Sequence, residues 1–448
     1  MQEIISNGTS PGARVQRTMR LLSESTPKRP RKVKIIFYGQ SISRQDWWRD
    51  VADYLRSAFP YADLDIRNKA VGGFNARLLA RSAEHDIYPL CPDLIILHCY
   101  GGEPDYEEFI KELRSKCSAE LLVHSDHIVW RPSDGVAGDM HGYEWHNQHC
   151  FEWLPAMSEK YGFELAEVRG PWGEYLDSRK LKSYDLLTDG MHLNDEGNRL
   201  LAALIKRHLV YIPELPADPY GLETVCRIGK DFDFTRGKAL LKFSGSRVEA
   251  IASRDGARGR IGVRIDGVKP SQIPGCYAFT RPNDIPGKDW PWQVGALVGI
   301  SRQNPLIQEE WLLRLTEVNE DVSFFRFEAR GSKTGFDGTG NNREIFVSDS
   351  GRVVIHPEDW WLEQAHKKVY RISVPAGYEI RWKAYFTGAD VFVPPSTEDL
   401  SREYSVTLAQ GLPDGEHLLE MEAEGAEQPG IEEIRVYRAL QCHKSILS

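Results

Sequence analysis

Short apolar runs alternate with amphipathic segments between residues 32 and 212. The apolar runs, which are typical of buried strands, are residues 33–38, 64–67, 93–99 and 121–123. The amphipathic segments predict helices at residues 46–59, 74–83 and 106–117, and a last helix begins after Asn194. Strands that alternate with helices predict an α/β domain, in which a parallel sheet carries helices on both faces.

The pattern changes after the segment Pro213–Pro216, where helical periodicity almost disappears. Short alternating runs follow at 239–243, 248–251, 262–265, 323–327, 353–355, 370–374, 404–408 and 434–437. Asp-Gly turns at 255–256, 337–338 and 414–415 separate some of them. These runs predict a β-sandwich of jelly-roll type. The predicted domains are an N-terminal arm (1–31) with one helical stretch, an α/β domain (32–212) and a β-sandwich (213–448).

Composition and charge narrow the class of protein. The 448 residues are 41% hydrophobic and 27% charged, which is ordinary for a globular chain. The net charge of −9 disfavours nucleic acid as a partner. No window approaches the roughly 20 apolar residues of a membrane helix, so we expect a soluble protein without a membrane partner. We see no signal peptide, and cytoplasm, periplasm and secretion all stay open, as does the oligomeric state.

The first candidate for chemistry is Ser41, directly after the first buried strand. Ligands of open α/β sheets bind at the carboxyl ends of the strands, where this serine would lie. A capping serine in an ordinary turn is the alternative.

The second candidate is the pair Asp189 and His192, just before the last helix. An aspartate three residues before a histidine can accept a hydrogen bond from Nδ1, which leaves Nε2 to take a proton from a serine. A loop salt bridge is the alternative. Both segments flank the same sheet, so Ser41 and this pair can meet at one edge.

Two glycine-rich turns follow the second and third strands. Gly72-Gly73 can bring backbone N–H groups close to an oxyanion, and Gly101-Gly102-Glu103 follows at the same edge.

In chain order, the segments at Ser41, Gly72-Gly73, Gly101-Gly102-Glu103 and Asp189–His192 resemble the first to fourth sequence blocks of the SGNH (GDSL-like) hydrolases, over residues 32–210. The resemblance implies a flavodoxin-like α/β/α fold and a serine esterase without a cofactor. It implies Ser41 as nucleophile, His192 as base and Asp189 as its orienting group. It further implies that the N–H groups of Ser41 and Gly73 hold the oxyanion.

Two positions depart from the family pattern. Gln40 stands where the family has Asp, and Glu103 stands where it has the oxyanion Asn. Because an ionised Glu only accepts hydrogen bonds, it cannot replace that donor. Glu103 then points away, is held protonated, or serves different chemistry as a general acid or a sugar ligand. Asn75 and Gln40 are candidate replacement donors.

A polar segment after the strand at 121–123 holds His124, His127, His141, His146 and His149, with Asp126 and Asp139 among them. A metal site is possible for such residues, but a substrate loop is the simpler interpretation, and we expect no metal. Tryptophans 47, 48, 130, 145, 153 and 172 are candidates to line a sugar cleft, although most Trp side chains are core. The substrate-binding candidates are Gln40, Glu103, His127 and Trp130.

The β-sandwich resembles the jelly-roll modules that accompany many SGNH carbohydrate esterases. The leading hypothesis is therefore an esterase that removes acyl groups, in particular acetyl, from a carbohydrate. The alternatives are a glycan-active enzyme of another class, such as a glycosidase that uses Glu103, and a non-catalytic sugar-binding protein.

Overall fold

A computed structural model describes residues 10–255, 257–282, 296–369, 371, 373–395, 399, 401–425 and 429–440 of the chain. The predicted turn residue Gly256, residues 370 and 372 of one predicted strand, and residues 1–9 of the arm lie outside these ranges. Among the described residues, no helix combines the length and apolar character that crossing a bilayer requires.

The first part of the chain forms one parallel sheet with helices around it. The strands are β1 (Lys32–Gly39), β2 (Asp63–Asn68), β3 (Leu94–His98), β4 (Glu120–His124) and β5 (Glu164–Ala166). The helices are α1 (Gln16–Ser23), α2 (Ser41–Arg44), α3 (Trp47–Ala58), α4 (Ala76–Asp86), α5 (Glu103–Lys116), α6 (Met140–Gln148), α7 (Leu154–Tyr161), α8 (Arg169–Arg179) and α9 (Asp195–Lys206). The strand order is β2-β1-β3-β4-β5, with every pair parallel. This order is that of flavodoxin-like folds.

Side chains of each strand alternate between two hydrophobic cores. In β1, Ile35 and Phe37 enter the core that α3, α8 and α9 cover, whereas Ile36 and Tyr38 enter the core under α4 and α5. Both faces of the sheet are therefore buried, and the predicted three-layer α/β/α architecture is confirmed.

Four elements, α6, α7, β5 and α8, were not predicted from the sequence. The polar segment after β4 folds into α6 and α7, joined by a π-helical stretch at His149–Trp153. The short strand β5 and the helix α8 complete the domain. The histidine-rich segment is thus a loop with one short helical turn over residues 125–139 and helical from Met140 onward.

The second part of the chain is built of antiparallel strands. They are β6 (Glu223–Arg227), β7 (Lys238–Ser244), β8 (Arg247–Ala252), β9 (Arg260–Ile265), β10 (Tyr277–Phe279), β11 (Glu309–Val318), β12 (Phe325–Gly331), β13 (Gly335–Asn341), β14 (Phe346–Val347), β15 (Val354–Ile355), β16 (Glu379–Phe386), β17 (Val391–Phe392), β18 (Ser405–Ala409), β19 (Glu416–Glu424) and β20 (Ile431–Tyr437), with one helical turn, α10 (Leu362–Gln364). The predicted strand at 370–374 is absent at its described residues 371, 373 and 374.

Two four-stranded sheets, β17-β9-β19-β7 and β18-β8-β20-β6, share one hydrophobic core. This is the predicted β-sandwich with the eight strands of a jelly roll. A five-stranded sheet, β10-β16-β11-β12-β13, has a separate core and lies between β9 and β17 in the chain. The alternating pattern of the sequence does not separate this inserted unit from the sandwich.

Buried ion pairs connect the sandwich to the rest of the chain. Glu403 accepts hydrogen bonds from both terminal nitrogens of Arg435 at 2.7 Å and lies 3.3 Å from Arg31 in the arm. The inserted unit contacts α4 through the pairs Arg81–Asp359 and Arg281–Asp86. Because these carboxylates are nearly inaccessible to solvent, losing one partner would leave an uncompensated buried charge.

Candidate active site

The site forms at the carboxyl edge of the parallel sheet, where β1 ends. Gly39 pairs with His98 across β1 and β3, and its φ is +148°. A Cβ at this position would collide with the carbonyl oxygen of His98 and the hydroxyl of Ser43. Glycine is therefore required for β1 to turn sharply beside β3, and this turn delivers Ser41 to the sheet edge.

Ser41, His192 and Asp189 lie in one hydrogen-bonded line. Ser41 Oγ is 2.9 Å from His192 Nε2, and His192 Nδ1 is 2.8 Å from Asp189 Oδ2. The Ser41 and His192 side chains come from positions 151 residues apart. Because the Asp189 carboxylate accepts from Nδ1–H, the Nε2 lone pair is directed at the serine hydroxyl. The predicted meeting of these two segments is thus present in the structure.

The Asp189 carboxylate is fixed by its own turn. Its Oδ1 accepts the backbone N–H groups of His192 at 2.8 Å and Met191 at 3.2 Å. The backbone and side-chain hydrogen bonds from His192 lower the pKa of Asp189 to about 2. The carboxylate is ionised at neutral pH and is exposed to solvent.

Gly73 and Asn75 lie together between β2 and α4. Gly73 is exposed, with a φ of +79°, and its carbonyl accepts a hydrogen bond of 3.2 Å from Tyr100. The Asn75 Oδ1 accepts from Leu78 N at 3.1 Å and caps α4. A Cβ placed on Gly101 would lie 3.4 Å from the Asn75 Cβ, so Asn75 is adjacent to the third sequence block.

Glu103 opens α5 and contacts a histidine. Its Oε1 lies 3.2 Å from His149 Nδ1, and about a third of the side chain (35%) is exposed. His149 is stacked between Trp145 and Trp153, with 4.8 Å between the ring centroids on each side. The carboxylate therefore contacts the π-helical stretch that joins α6 and α7.

Gln40 belongs to a buried polar chain behind Ser41. Its Oε1 accepts from Ile42 N at 2.8 Å and lies 3.2 Å from Ser41 Oγ. Its Nε2 lies 2.8 Å from His98 Nδ1, and His98 Nε2 lies 2.8 Å from Asp126 Oδ1. The sequence pattern pointed to Asp126 only as part of the polar segment after β4, and His98 was missed. The available signal was that His98 ends an apolar strand at the same edge as Ser41.

His127 and Trp130 follow β4 and have partners within the protein. The His127 side chain is buried, and its Nε2 lies 2.9 Å from the carbonyl oxygen of Met191. Burial lowers the pKa of His127 to about 4, so the ring is neutral at pH 7 and donates through Nε2–H. Trp130 is half-buried, and its indole N–H donates to the Val136 carbonyl at 3.2 Å.

The tryptophans proposed for a cleft divide into two groups. Trp47 and Trp172 are completely buried, so both belong to the core. Trp48, Trp130, Trp145 and Trp153 are half-buried. In the part of the chain that the structure describes, no group of three or more His, Cys, Asp or Glu side chains is arranged to hold a metal ion.

Of three comparisons with known proteins, only the one with solved structures found matches. No protein-family model matches the chain, and no curated protein matches it. A GDSL-like lipase from Parabacteroides merdae is 15% identical, with a TM-score of 0.36 over 40% of this chain and 97% of that one. A two-domain esterase active on acetylated mannans is 11% identical, with a TM-score of 0.36 over 96% and 95% of the two chains. A catalytic mutant of an acetylxylan esterase from Geobacillus stearothermophilus is 15% identical, with a TM-score of 0.35 over 40% and 95%.

The order of the parallel strands agrees with the SGNH resemblance, and so do the positions of the four sequence blocks at the carboxyl edge of the sheet. The α/β/α fold that this resemblance implies is confirmed, and a β-sandwich follows it. The side chains of the first and fourth blocks meet within hydrogen-bonding distance.

Proposed function

We propose that this protein is a serine esterase that removes acyl groups, in particular acetyl, from a carbohydrate. The observation that carries the proposal is the position of His192 between the Ser41 hydroxyl and the Asp189 carboxylate, at 2.9 and 2.8 Å. A nucleophile, a base and an orienting acid at these distances support acyl transfer.

The reaction has two halves. Ser41 Oγ attacks the ester carbonyl carbon while His192 Nε2 takes the hydroxyl proton. The carbon–oxygen bond to the sugar then breaks, and His192 gives its proton to the leaving sugar hydroxyl. In the second half, water attacks the acyl-Ser41 carbonyl carbon while His192 takes a proton from it. The bond from that carbon to Ser41 Oγ then breaks, His192 returns the proton to Oγ, and acetate leaves. Asp189 keeps the imidazole in the required tautomer and stabilises its protonated form.

The oxyanion needs hydrogen-bond donors that Glu103 does not supply. The N–H of Ser41, at the first position of α2, has no partner within that helix. Gly73 N–H is the second donor in this proposal. We assign the third to the Asn75 side-chain amide, because its Oδ1 is occupied in capping α4, which leaves the NH₂ group as the donor. Asn75 then takes the place of the family's Asn from a neighbouring loop.

A sugar substrate is supported by the surroundings of the acyl site. The Tyr100 ring is 43% exposed and is held beside Gly73 by its hydroxyl. Met191, 56% exposed, lies next to His192. An exposed aromatic face beside an open, polar catalytic edge suits a sugar ring better than an acyl chain in a closed apolar tunnel.

The test is hydrolysis of an aryl acetate and release of acetate from a panel of acetylated glycans. Wild type should turn over both kinds of substrate, and Ser41→Ala should lose at least about 10³-fold in kcat. Ser115→Ala, which changes an exposed hydroxyl on α5, is the matched control and should equal wild type. Equal activity of wild type and Ser41→Ala would overturn the proposal.

A further inference from the structure

A chain of four side chains runs from behind Ser41 into helix α6. It passes from Gln40 to His98, to Asp126 and to His146, whose Nδ1 lies 2.7 Å from Asp126 Oδ2. Gln40 and His98 are 4% and 3% exposed, so water does not compete for these hydrogen bonds. None of the four is part of the line formed by Ser41, His192 and Asp189.

The directions of the hydrogen bonds from Gln40 to His98 and from His98 to Asp126 follow from one fixed donor. The backbone N–H of Ile42 can only donate, so the Gln40 atom facing it at 2.8 Å is the carbonyl oxygen. The amide nitrogen of Gln40 therefore donates to His98 Nδ1. His98 must then carry its proton on Nε2 and donate it to Asp126 Oδ1.

His98 lies between a second histidine ring and the Asp126 carboxylate. His124 is stacked on His98, with the ring centroids 4.3 Å apart and the planes inclined by 14°. The hydrogen bonds from His146 and His98 hold the pKa of Asp126 well below its usual range, despite its burial. Asp126 is thus an ionised acceptor for both histidines.

We propose that His98 and Asp126 are positioning residues for the Ser41 nucleophile and act through the Gln40 amide. This inference rests on the proposed role of Ser41. Asp126 selects the His98 tautomer, and that tautomer fixes which way the Gln40 amide faces. The amide oxygen then accepts the backbone N–H of Ile42, which holds the start of α2 and with it Ser41. With the other tautomer, Nδ1–H would face the Gln40 NH₂ group, and the amide would have to turn its nitrogen toward Ile42 N–H.

The kinetic test is a double-mutant cycle on an aryl acetate. Asp126→Asn should lower kcat about 10–100-fold, the range seen when groups that orient a site are removed, with KM within about twofold. Gln40→Met should cause a similar loss. The double variant should be no slower than Gln40→Met alone, because the link is already cut. Losses that multiply, or a kcat for Asp126→Asn within about twofold of wild type, would overturn the proposal.

Two variants at position 98 distinguish a role in positioning Gln40 from a role in the stability of the fold. Asn at 98 can present an oxygen near the place of Nδ1 and accept from Gln40, whereas Leu cannot. We expect His98→Asn to be about tenfold more active than His98→Leu. Equal losses in the two variants would contradict the proposal. Asp134→Asn removes another buried carboxylate, one hydrogen-bonded to Arg131 and Ser183, and controls for general destabilisation.

A spectroscopic measurement separates this inference from the esterase proposal. In protein labelled with ¹⁵N-histidine, the His98 resonances are those that disappear in His98→Asn. In wild type, they should show a protonated Nε2 and an unprotonated Nδ1. The tautomer should change in Asp126→Asn. A wild-type His98 protonated on Nδ1 would refute the inference even in an active esterase. If His98 has the expected tautomer but Ser41→Ala is as active as wild type, the esterase proposal is refuted. The positioning role, which depends on it, is then refuted as well.

Discussion

The Nε2–H of His127 donates a hydrogen bond of 2.9 Å to the carbonyl oxygen of Met191, 64 positions further along the chain. This bond joins the end of β4 to the turn that presents Asp189 and His192. The position of the base thus depends on a buried histidine that does not itself face Ser41.

Acid should weaken the fold through this histidine. Burial lowers the pKa of His127 from its ordinary 6.5 to about 4, so between these values the unfolded chain binds more protons than the folded one. The free energy of unfolding should therefore fall as the pH drops from 6.5, and this histidine should account for about 3 kcal/mol by pH 4.

Chemical denaturation of wild type and His127→Gln over this pH range measures the effect. Glutamine keeps an N–H donor but does not titrate, so the stability of the variant should depend less steeply on pH. His124, whose pKa burial also lowers, titrates in both proteins and cancels in the comparison. Parallel pH curves would show that His127 is not responsible.

Asp189→Asn should inactivate the protein without unfolding it. The amide can face His192 with its nitrogen and favour the tautomer whose Nε2 carries a proton, which cannot accept from Ser41. We expect kcat to fall about 10²–10⁴-fold, as for the equivalent change in serine proteases. Asp195→Asn, in the first turn of α9, is the control and should retain wild-type kcat. A kcat for Asp189→Asn close to that of wild type would mean that His192 needs no orienting carboxylate.

Asn75→Ser tests the third oxyanion donor. Serine caps a helix about as well as asparagine, so α4 should keep its stability while the amide donor is lost. We expect kcat to fall about 10²–10³-fold, with an unchanged unfolding transition. Glu103→Gln should stay within about threefold of wild type, because its side chain contacts His149. The reverse ranking of these two variants would return the oxyanion role to position 103.

Gly39→Ala should destabilise the protein by about 3 kcal/mol or more, because the methyl group collides with β3 and the backbone is left-handed. Gly135→Ala is the matched control, with a φ of +76° and no atom within 4 Å of the added Cβ. It should cost only about 1–2 kcal/mol. Thermal unfolding of both variants gives the comparison, and equal shifts would show that strain alone, without collision, decides the cost at Gly39.

The α/β domain could be predicted from the sequence because its central strands bury both faces, each in one of two hydrophobic cores. Such strands are apolar runs that are easy to recognise. The sequence pattern missed α6 because Met140–Gln148 buries none of its side chains and so shows no apolar stripe. It missed α8 because Gly170, Pro171 and Gly173 have low helix propensity, which packing overrides.

The candidate site divides in the same way. Ser41, Asp189 and His192 could be paired from the sequence because carboxyl ends of parallel strands converge on one edge. The link from Gln40 to His98 and Asp126 could not, because it depends on the register that sets Gly39 beside His98. The insertion between β9 and β17 was also hidden, since alternating strands do not reveal which strands pair.

In each sheet of the sandwich, one inner strand comes from the last part of the domain's sequence. β19 lies between β9 and β7, and β20 lies between β8 and β6. During synthesis, β6 to β9 emerge long before these partners. At ordinary elongation rates the ribosome needs roughly 10–30 s to travel from β9 to β19. For that interval the nascent chain carries open strand edges while the inserted sheet, which has its own core, can already fold. Translation speed and holding chaperones should therefore govern the yield of this protein more than the stability of its finished fold.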